Sequence, residues 1–253
     1  MRIVAIIPAR FASTRLPGKP LADIGGKSMV QRVVERVRKA KRITAVVVAT
    51  DDERVAVHVR SFGGTAVITS PEHPSGTDRC YEALMIMGAD DVDAIVNVQG
   101  DEPFIEPAQI DEVCETLEKA EGGIATLAQV VQDDHELDNA GEVLITTDIR
   151  MNALYFSRAA IPYLHGHRTG PRYSHFRFLK HVGIYAYRKE LLERLVRLAP
   201  SPLEKAESLE QLRWLENGYK VQVGITAHPS FCVDTPADLE EAIRRVEKDG
   251  EGS

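Results

Sequence analysis

Residues 8–19, Pro-Ala-Arg-Phe-Ala-Ser-Thr-Arg-Leu-Pro-Gly-Lys, hold three cations, two hydroxyls and a glycine without one carboxylate. Arginine forks match phosphate oxygens bidentately, lysine adds a compact charge, and backbone N–H groups complete a cradle. Arg10, Ser13, Arg15 and Lys19 are thus candidate phosphate ligands. The same composition also describes a solvated basic loop, and composition alone leaves the two readings level. Two familiar phosphate motifs are excluded. Gly26-Lys27-Ser28 mimics the end of a Walker A motif, but Leu21 stands where the first glycine is required. No G-x-G-x-x-G follows a strand. Gly25-Gly26 reads as a turn.

The acidic counterpart is more dispersed. Asp101 follows the run Val98-Gln99-Gly100, and Pro103 disfavours helix at Glu102. Asp234 precedes a helix in which Pro236 fits the first position, leaving Thr235 as the cap with Asp238 three residues on. Two carboxylates with phosphate oxygens and waters make an ordinary magnesium site. Taken singly, Asp101 also reads as a turn residue and Asp234 as a cap. Ser75-Gly76-Thr77-Asp78-Arg79 starts a helix, with Ser75 and Asp78 able to cap it and Gly76 admitting close backbone approach.

These residues need a frame. Ile3–Ile7, Ala45–Ala49, Thr65–Ile68 and Ala94–Val98 are short apolar or β-branched runs. Helical patterns separate or follow them over Met29–Lys39, from a capping box at Thr50-Asp51-Asp52-Glu53 through Val59, Gly76–Met87 and Pro107–Lys119. This alternation predicts βαβ units and a mostly parallel central sheet with flanking helices, an α/β fold. Ligands of such sheets bind beyond the carboxyl ends of the strands, where the basic loop and Asp101 fall. The pattern then changes. Ile124–Val131, Val143–Thr147, Ala153–Phe156 and Val182–Tyr187 read as strands without regular helices between them, hence antiparallel additions. Arg188–Leu198 and Leu203–Asn217 read as helices, Val221–Ile225 as a strand and Pro236–Lys248 as a closing helix. In the second of these helices Leu203, Ala206, Leu209 and Leu212 form the expected buried stripe. The basic segment 163–177 is the best candidate for a mobile loop.

Composition limits the function classes. A net charge of −7, with 43% hydrophobic and 27% charged residues, describes a folded domain that is neither a general nucleic-acid binder nor attracted to anionic membranes. Cys80, Cys114 and Cys232 are widely spaced and odd in number, which suits free thiols in a reducing compartment. Met1–Ala9 is too short and too soon interrupted by Arg10 for a signal peptide or membrane span. A cytoplasmic protein without membrane insertion is expected.

The blocks IIPARFASTRLPGKPL, VVVATDD, HPSGTDR, VNVQGDEP, ALYFSRAAIPY, KHVGIYAYR, SPLEKAESLEQLRWLENG and VDTPADLE together resemble the 3-deoxy-manno-octulosonate (Kdo) cytidylyltransferases over nearly the whole chain. IPAR with a downstream lysine also occurs in sialate cytidylyltransferases, whereas the QGDEP, ALYFSR and HVGIY blocks are far more specific. The resemblance implies the nucleotide-diphospho-sugar transferase (Rossmann-like) fold, usually as a homodimer. The implied reaction joins CMP from CTP to Kdo, releasing pyrophosphate and activating the sugar for lipopolysaccharide synthesis.

By the same resemblance Arg10, Ser13, Arg15 and Lys19 hold the triphosphate, and Arg10, Arg15, Lys19 and Asp101 are catalytic. Asp101 and Asp234 bind Mg²⁺. Ser75 and Arg79 lie near cytosine and ribose, with Gln99 between nucleotide and sugar. Arg158, His181, Tyr185, Glu210 and Gln211 match the sugar pocket. The bland alternatives are a surface arginine at 158, interface packing for His181 and Tyr185, and a solvated helix face for Glu210 and Gln211. The chain is expected to be a single cytidylyltransferase domain, 1–253, with a nucleotide-binding core, 1–131 and 221–253, and a sugar-binding and dimerisation lobe, 132–220. Leu144 stands where the family commonly has lysine, behind an unusual Gly141-Glu142, and Pro74 where it often has glutamine. These changes leave room for another acidic sugar, 8-amino-Kdo or sialate. More distant readings are a metal-dependent glycosyltransferase and a non-catalytic nucleotide sensor.

Overall fold

The computed structural model describes residues 1–13, 15–88, 90–166 and 169–250. The chain forms two compact units, the first Met1–Asp111 with Ser230–Ser253 and the second Glu112–Pro229.

In the first unit β1 (Ile3–Pro8) is buried throughout except at Pro8, as an apolar run covered on both faces requires. The basic loop follows and ends in a 3₁₀ turn at Lys19–Leu21. Then β2 (Asp23–Ile24) and β3 (Lys27–Ser28) form a small antiparallel hairpin. Its turn residues Gly25 and Gly26 have φ of 59° and 82°, a region open mainly to glycine. The Walker-like triplet is therefore a hairpin arm, and Ser28 caps α1 (Met29–Val37) by accepting from the Gln31 amide. Met29, Val30, Val33, Val34 and Val37 are the buried face of that helix.

Next come β4 (Ala45–Thr50), α2 (Glu53–Ser61), β5 (Thr65–Ile68), α3 (Gly76–Ile86) and β6 (Ala94–Asn97). The capping box expected to open at Thr50 sits differently. Asp52 is the cap of α2 and accepts from the Arg54 amide at 2.9 Å, while Thr50 accepts from the Asp52 amide. The parallel order is β5-β4-β1-β6. The chain runs from β1 outward through β4 to β5, then returns to add β6 on the other flank of β1. Crossovers that diverge in this way open a crevice beyond the strand ends.

The helix α4 (Pro107–Lys119) leads into the second unit. There the elements are β7 (Ile124–Val130), α5 (Asp134–Asp138), β8 (Leu144–Thr147), β9 (Ala153–Ser157), β10 (Leu179–Arg188), α6 (Lys189–Leu195), α7 (Pro202–Glu207), α8 (Gln211–Glu216) and β11 (Gln222–Ile225). The strand β10 pairs antiparallel with β7 and β8, β8 antiparallel with β9, and β11 parallel with β7. The α/β expectation with antiparallel additions describes the protein. The two compact units divide at residues 111 and 230, and within the second β7 pairs with both β11 and β10. Finally α9 (Pro236–Gly250) returns to the first unit.

The helix expected over 203–217 is two. Ser208 adopts a left-handed conformation, φ 55°, between α7 and α8. The break leaves Leu203 and Ala206 exposed, while Leu209 and Leu212 are buried. Gln211, expected on a solvated face, is buried. Leu144 is fully buried with Val131, Leu137 and Phe178. Lys180, opposite Leu144 in register, reaches Glu136 at 3.3 Å and Glu142 at 3.5 Å. An apolar residue at 144 thus completes a core, and the unusual Glu142 faces a cation. All three cysteines are free. Among the described residues no helix is long and apolar enough to cross a membrane.

Candidate active site

Beyond the ends of β1 and β6 the first unit contains a cleft of about 320 Å³. Arg10, Ser13, Arg15, Lys19, Ser75, Arg79, Gln99, Asp101 and Asp234 all line it, so the residues expected to hold nucleotide and metal share one cavity. Close backbone packing shapes its floor. A Cβ at Gly100 would lie 2.6 Å from the Pro8 carbonyl oxygen, which only a glycine avoids.

The basic loop is folded around Phe11. Its carbonyl accepts from the Ser13 and Gly18 amides at 3.1 and 3.3 Å. Its own amide donates to Asp51 at 3.1 Å, and the Arg54 guanidinium lies 3.7 Å from the ring centroid. Gly18 turns the chain at φ 69° beside that ring. Leu16 packs on a buried cluster of Ile24, Met29, Val233 and Ala242, so the segment carrying Asp234 and the basic loop rest on the same apolar base. Thr14 lies outside the described residues.

Lys19 emerges from this loop with its ammonium 2.7 Å from Asp101 Oδ2 and 2.8 Å from Asp234 Oδ1. Burial alone would lower the Lys19 pKa, but the charges and hydrogen bonds of the two carboxylates outweigh it and the net shift is upward. Arg15 approaches the other Asp234 oxygen at 3.3 Å. Arg10 is exposed and makes no hydrogen bond or ion pair among the described residues. Val233 donates its amide to the Asp101 carbonyl at 2.9 Å. Asp238 accepts from the Asp234 and Thr235 amides and from the Thr235 hydroxyl, so Asp234 stands outside α9 as expected. Asp101 Oδ1 is buried without a hydrogen-bond partner among the described residues. Cys232 shares the spot, its thiol within 4.8 Å of both carboxylates. Desolvation first, then the charges of Asp101 and Asp234, push that thiol up. Neighbouring Glu102 is pushed up to about 7 by burial and by Asp101, against a hydrogen bond from Ser230.

On the opposite wall Ser75 caps α3, accepting from the Asp78 amide and donating to its carboxylate at 2.6 Å. Arg79 does not reach freely into the cleft. It is 3% exposed and donates to Thr69 at 2.6 Å and to Asp51 at 3.4 Å. Glu82 holds the loop before α3, taking His73 at 2.5 Å and the Ser70 amide at 2.7 Å. The strand-end rule points to the segment 50–52, but sequence reading gave no role to Asp51, Glu82 or Phe11. The strand-end position of Asp51 was the available signal, masked by its place beside a helix cap.

Gln99 lines the cleft of the first unit, whereas the other expected sugar residues belong to the second. There His181 meets the Thr126 hydroxyl at 2.9 Å and packs against Phe156 and Tyr185, centroids 5.4 and 5.2 Å away. Burial pushes its ring down to about 3, so it is neutral. Burial and the charge of Glu210 raise the Tyr185 phenol well above its ordinary value. Its ring stands edge-on to Trp214 in α8. Arg158 is exposed but anchored: its amide and Nε donate to Glu207 and its Nη1 to the Ala140 carbonyl. His181, Tyr185 and Glu210 therefore form one neighbourhood, while Arg158 is held at the end of α7.

Similarity to known proteins agrees with this arrangement. A family model for cytidylyltransferases matches residues 4–222. The chain is 48% identical over 247 residues to the 3-deoxy-manno-octulosonate cytidylyltransferase of Parabacteroides distasonis, covering 96% of this chain and 97% of that one. Against that of Cytophaga hutchinsonii it is 49% identical over 238 residues, 94% of each chain. Among solved structures, a CMP:2-keto-3-deoxy-manno-octonic acid synthetase complexed with CTP matches with a TM-score of 0.89 and 39% identity, over 98% of this chain and all of that one. A putative glucose-1-phosphate thymidylyltransferase from Bacillus anthracis, in complex with sucrose, shares the fold alone. Its TM-score is 0.64 at 16% identity, over 96% of this chain and 94% of that one. Fold and cleft define an α/β nucleotidyltransferase. More narrowly, the chain belongs to the cytidylyltransferase family, among the 3-deoxy-manno-octulosonate cytidylyltransferases.

Proposed function

We propose that this protein transfers CMP from CTP to Kdo, giving CMP-Kdo and pyrophosphate. The observation that carries the reading is the cleft in which a cationic loop faces Asp101 and Asp234 across Lys19. The anomeric hydroxyl oxygen forms a bond to the α-phosphorus, the bond from that phosphorus to the bridging oxygen of pyrophosphate breaks, pyrophosphate leaves, and the hydroxyl proton passes to solvent. Arg10, Arg15 and Lys19 neutralise charge that develops on the α-phosphate and the leaving group, a contribution that grows in the transition state. No covalent nucleophile is required, since positioning and electrostatics account for most phosphoryl-transfer catalysis.

The acidic pair fits a hard cation. It already holds an ammonium, and Asp101 Oδ1 is a buried acceptor without a partner among the described residues, whereas the raised Cys232 thiol is a poor magnesium ligand. In this reading Asp101 and Asp234 hold Mg²⁺, which when bound neutralises the phosphates and favours loss of the hydroxyl proton. Ser75 and Arg79 border the base and ribose, Gly76 admits close backbone approach, and Gln99 lies toward the sugar. Arg158, His181, Tyr185, Glu210 and Gln211 serve the acidic sugar. The reading includes a cytoplasmic homodimer whose product enters lipopolysaccharide synthesis, and light scattering checks the dimer.

The test is pyrophosphate release with CTP, Mg²⁺ and a panel of acidic sugars. Turnover with Kdo is expected. Turnover with sialate and none with Kdo would sink the substrate assignment.

A further inference from the structure

The carboxylate of Asp51 joins two parts of the cleft that are far apart in sequence. Its Oδ1 accepts the Phe11 amide, the residue around which the basic loop folds. Its Oδ2 faces the Arg79 guanidinium at 3.4 Å. Both side chains are largely removed from solvent, 11% exposed for Asp51 and 4% for Arg79. Arg79 is also fixed from the other side by Thr69. Two further contacts converge on Phe11, the Gly18 amide on its carbonyl and Arg54 over its ring.

We infer that Asp51 is a positioning residue for the nucleotide, setting the basic loop against the α3 wall so that phosphate and base contacts keep a fixed separation. This rests on the nucleotide reading of the cleft. A carboxylate fixed between a backbone N–H and a buried guanidinium is strongly constrained in direction, because each bond is charge-assisted and shielded from water. The Phe11 amide cannot move without weakening the Asp51 contact to Arg79, which is held on a different element. Arg10, Ser13 and Arg15 flank Phe11 within four residues, so their origin is set by this one acceptor. Asp51 is not among the residues lining the cleft. It therefore acts through Phe11 and Arg79 without touching substrate.

A positioning role and a purely structural one differ in kinetics. Loss of folded protein lowers the rate per mole of protein and leaves every KM unchanged. A displaced loop raises the KM for CTP and leaves that for the sugar unchanged. In the full chain, Asp51→Ala is expected to raise the KM for CTP at least tenfold, with the KM for Kdo within twofold of the parent. Asp51→Asn keeps an acceptor for the Phe11 amide but loses the charge facing Arg79, and a smaller rise of about threefold is expected. Titration calorimetry with CTP alone should show the same order of weakening. That measurement stands apart from the sugar assignment, so a parent protein that binds CTP but rejects Kdo overturns the substrate reading and not this one. Should Asp51→Ala fail to fold, Asp51→Asn decides by the same comparison. An unchanged KM for CTP in the folded variant, or a fall in kcat alone, overturns the inference.

Discussion

The Lys19 ammonium is 2.7 Å from Asp101 Oδ2 and only 12% of the Lys19 side chain is exposed. A cation so enclosed is fixed in place before any substrate arrives. On the proposed reading, replacing it removes charge where the leaving pyrophosphate gains it, and it takes from Asp101 its counter-ion while Asp234 keeps Arg15. Lys19→Ala is expected to lower kcat at least about 100-fold while weakening CTP binding by less than about tenfold. Steady-state kinetics with calorimetry of CTP binding decides this. Equal losses in both quantities would show that Lys19 merely binds.

Asp101 and Asp234 separate in the same way. Asp101→Asn and Asp234→Asn each keep size and hydrogen-bonding capacity but remove the charge a hard cation needs. Turnover should fall by about 100-fold or more and recover partly at raised Mg²⁺, with the far-ultraviolet spectrum unchanged. A magnesium titration curve like the parent's in both variants would remove the metal assignment.

His181 predicts an acid-sensitive fold. Its folded pKa is pushed down to about 3, against about 6.5 in an unfolded chain. Between these values the unfolded state binds the proton and the folded state does not. Its contribution is therefore complete above about pH 6.5 and is lost on acidification toward 3, by about 1.4 kcal/mol per unit. Urea unfolding from pH 7 to pH 4.5 should show this slope, reduced in His181→Gln. Identical slopes in the two proteins would contradict it.

Leu144 makes a third kind of test. The lysine that the family resemblance implies at this position would place an ammonium in the Val131, Leu137 and Phe178 cluster, beside Lys180. Leu144→Lys should cost at least about 3 kcal/mol of stability, combining lost packing with charge burial. Denaturant unfolding measures it. A loss below about 1 kcal/mol would mean that the ammonium escapes to solvent.

Much of this arrangement was legible in the residues themselves. The apolar runs at Ile3–Ile7 and Ala94–Val98 can be stable only as covered strands, so the loops after them had to lie at the cleft. Local chemistry alone placed Ser75 and Thr235 as caps and Gly25-Gly26 as a turn. What stayed hidden depends on tertiary contact. Ser208 breaks a helix by a backbone conformation that its side chain does not announce. Arg79 lines the cleft, but charge alone does not announce that Thr69 and Asp51 hold it, and Asp51 looked like part of a cap because its partners, Phe11 and Arg79, are distant in sequence. The β7 strand is an apolar run like the core strands of the first unit, whereas β11 is short and half polar. Only their pairing assigns them to the second.

The main-chain bond from Val233 to the carbonyl of Asp101 ties the segment that carries Asp234 to the backbone of Asp101. The two carboxylates therefore project from tied stretches of backbone, with Lys19 bridging them. On the proposed metal reading, a cation entering the site would meet a pair whose main chains are already tied and would gain little by drawing the chain inward. Discrimination among ions then falls on radius and on the readiness of each ion to shed water.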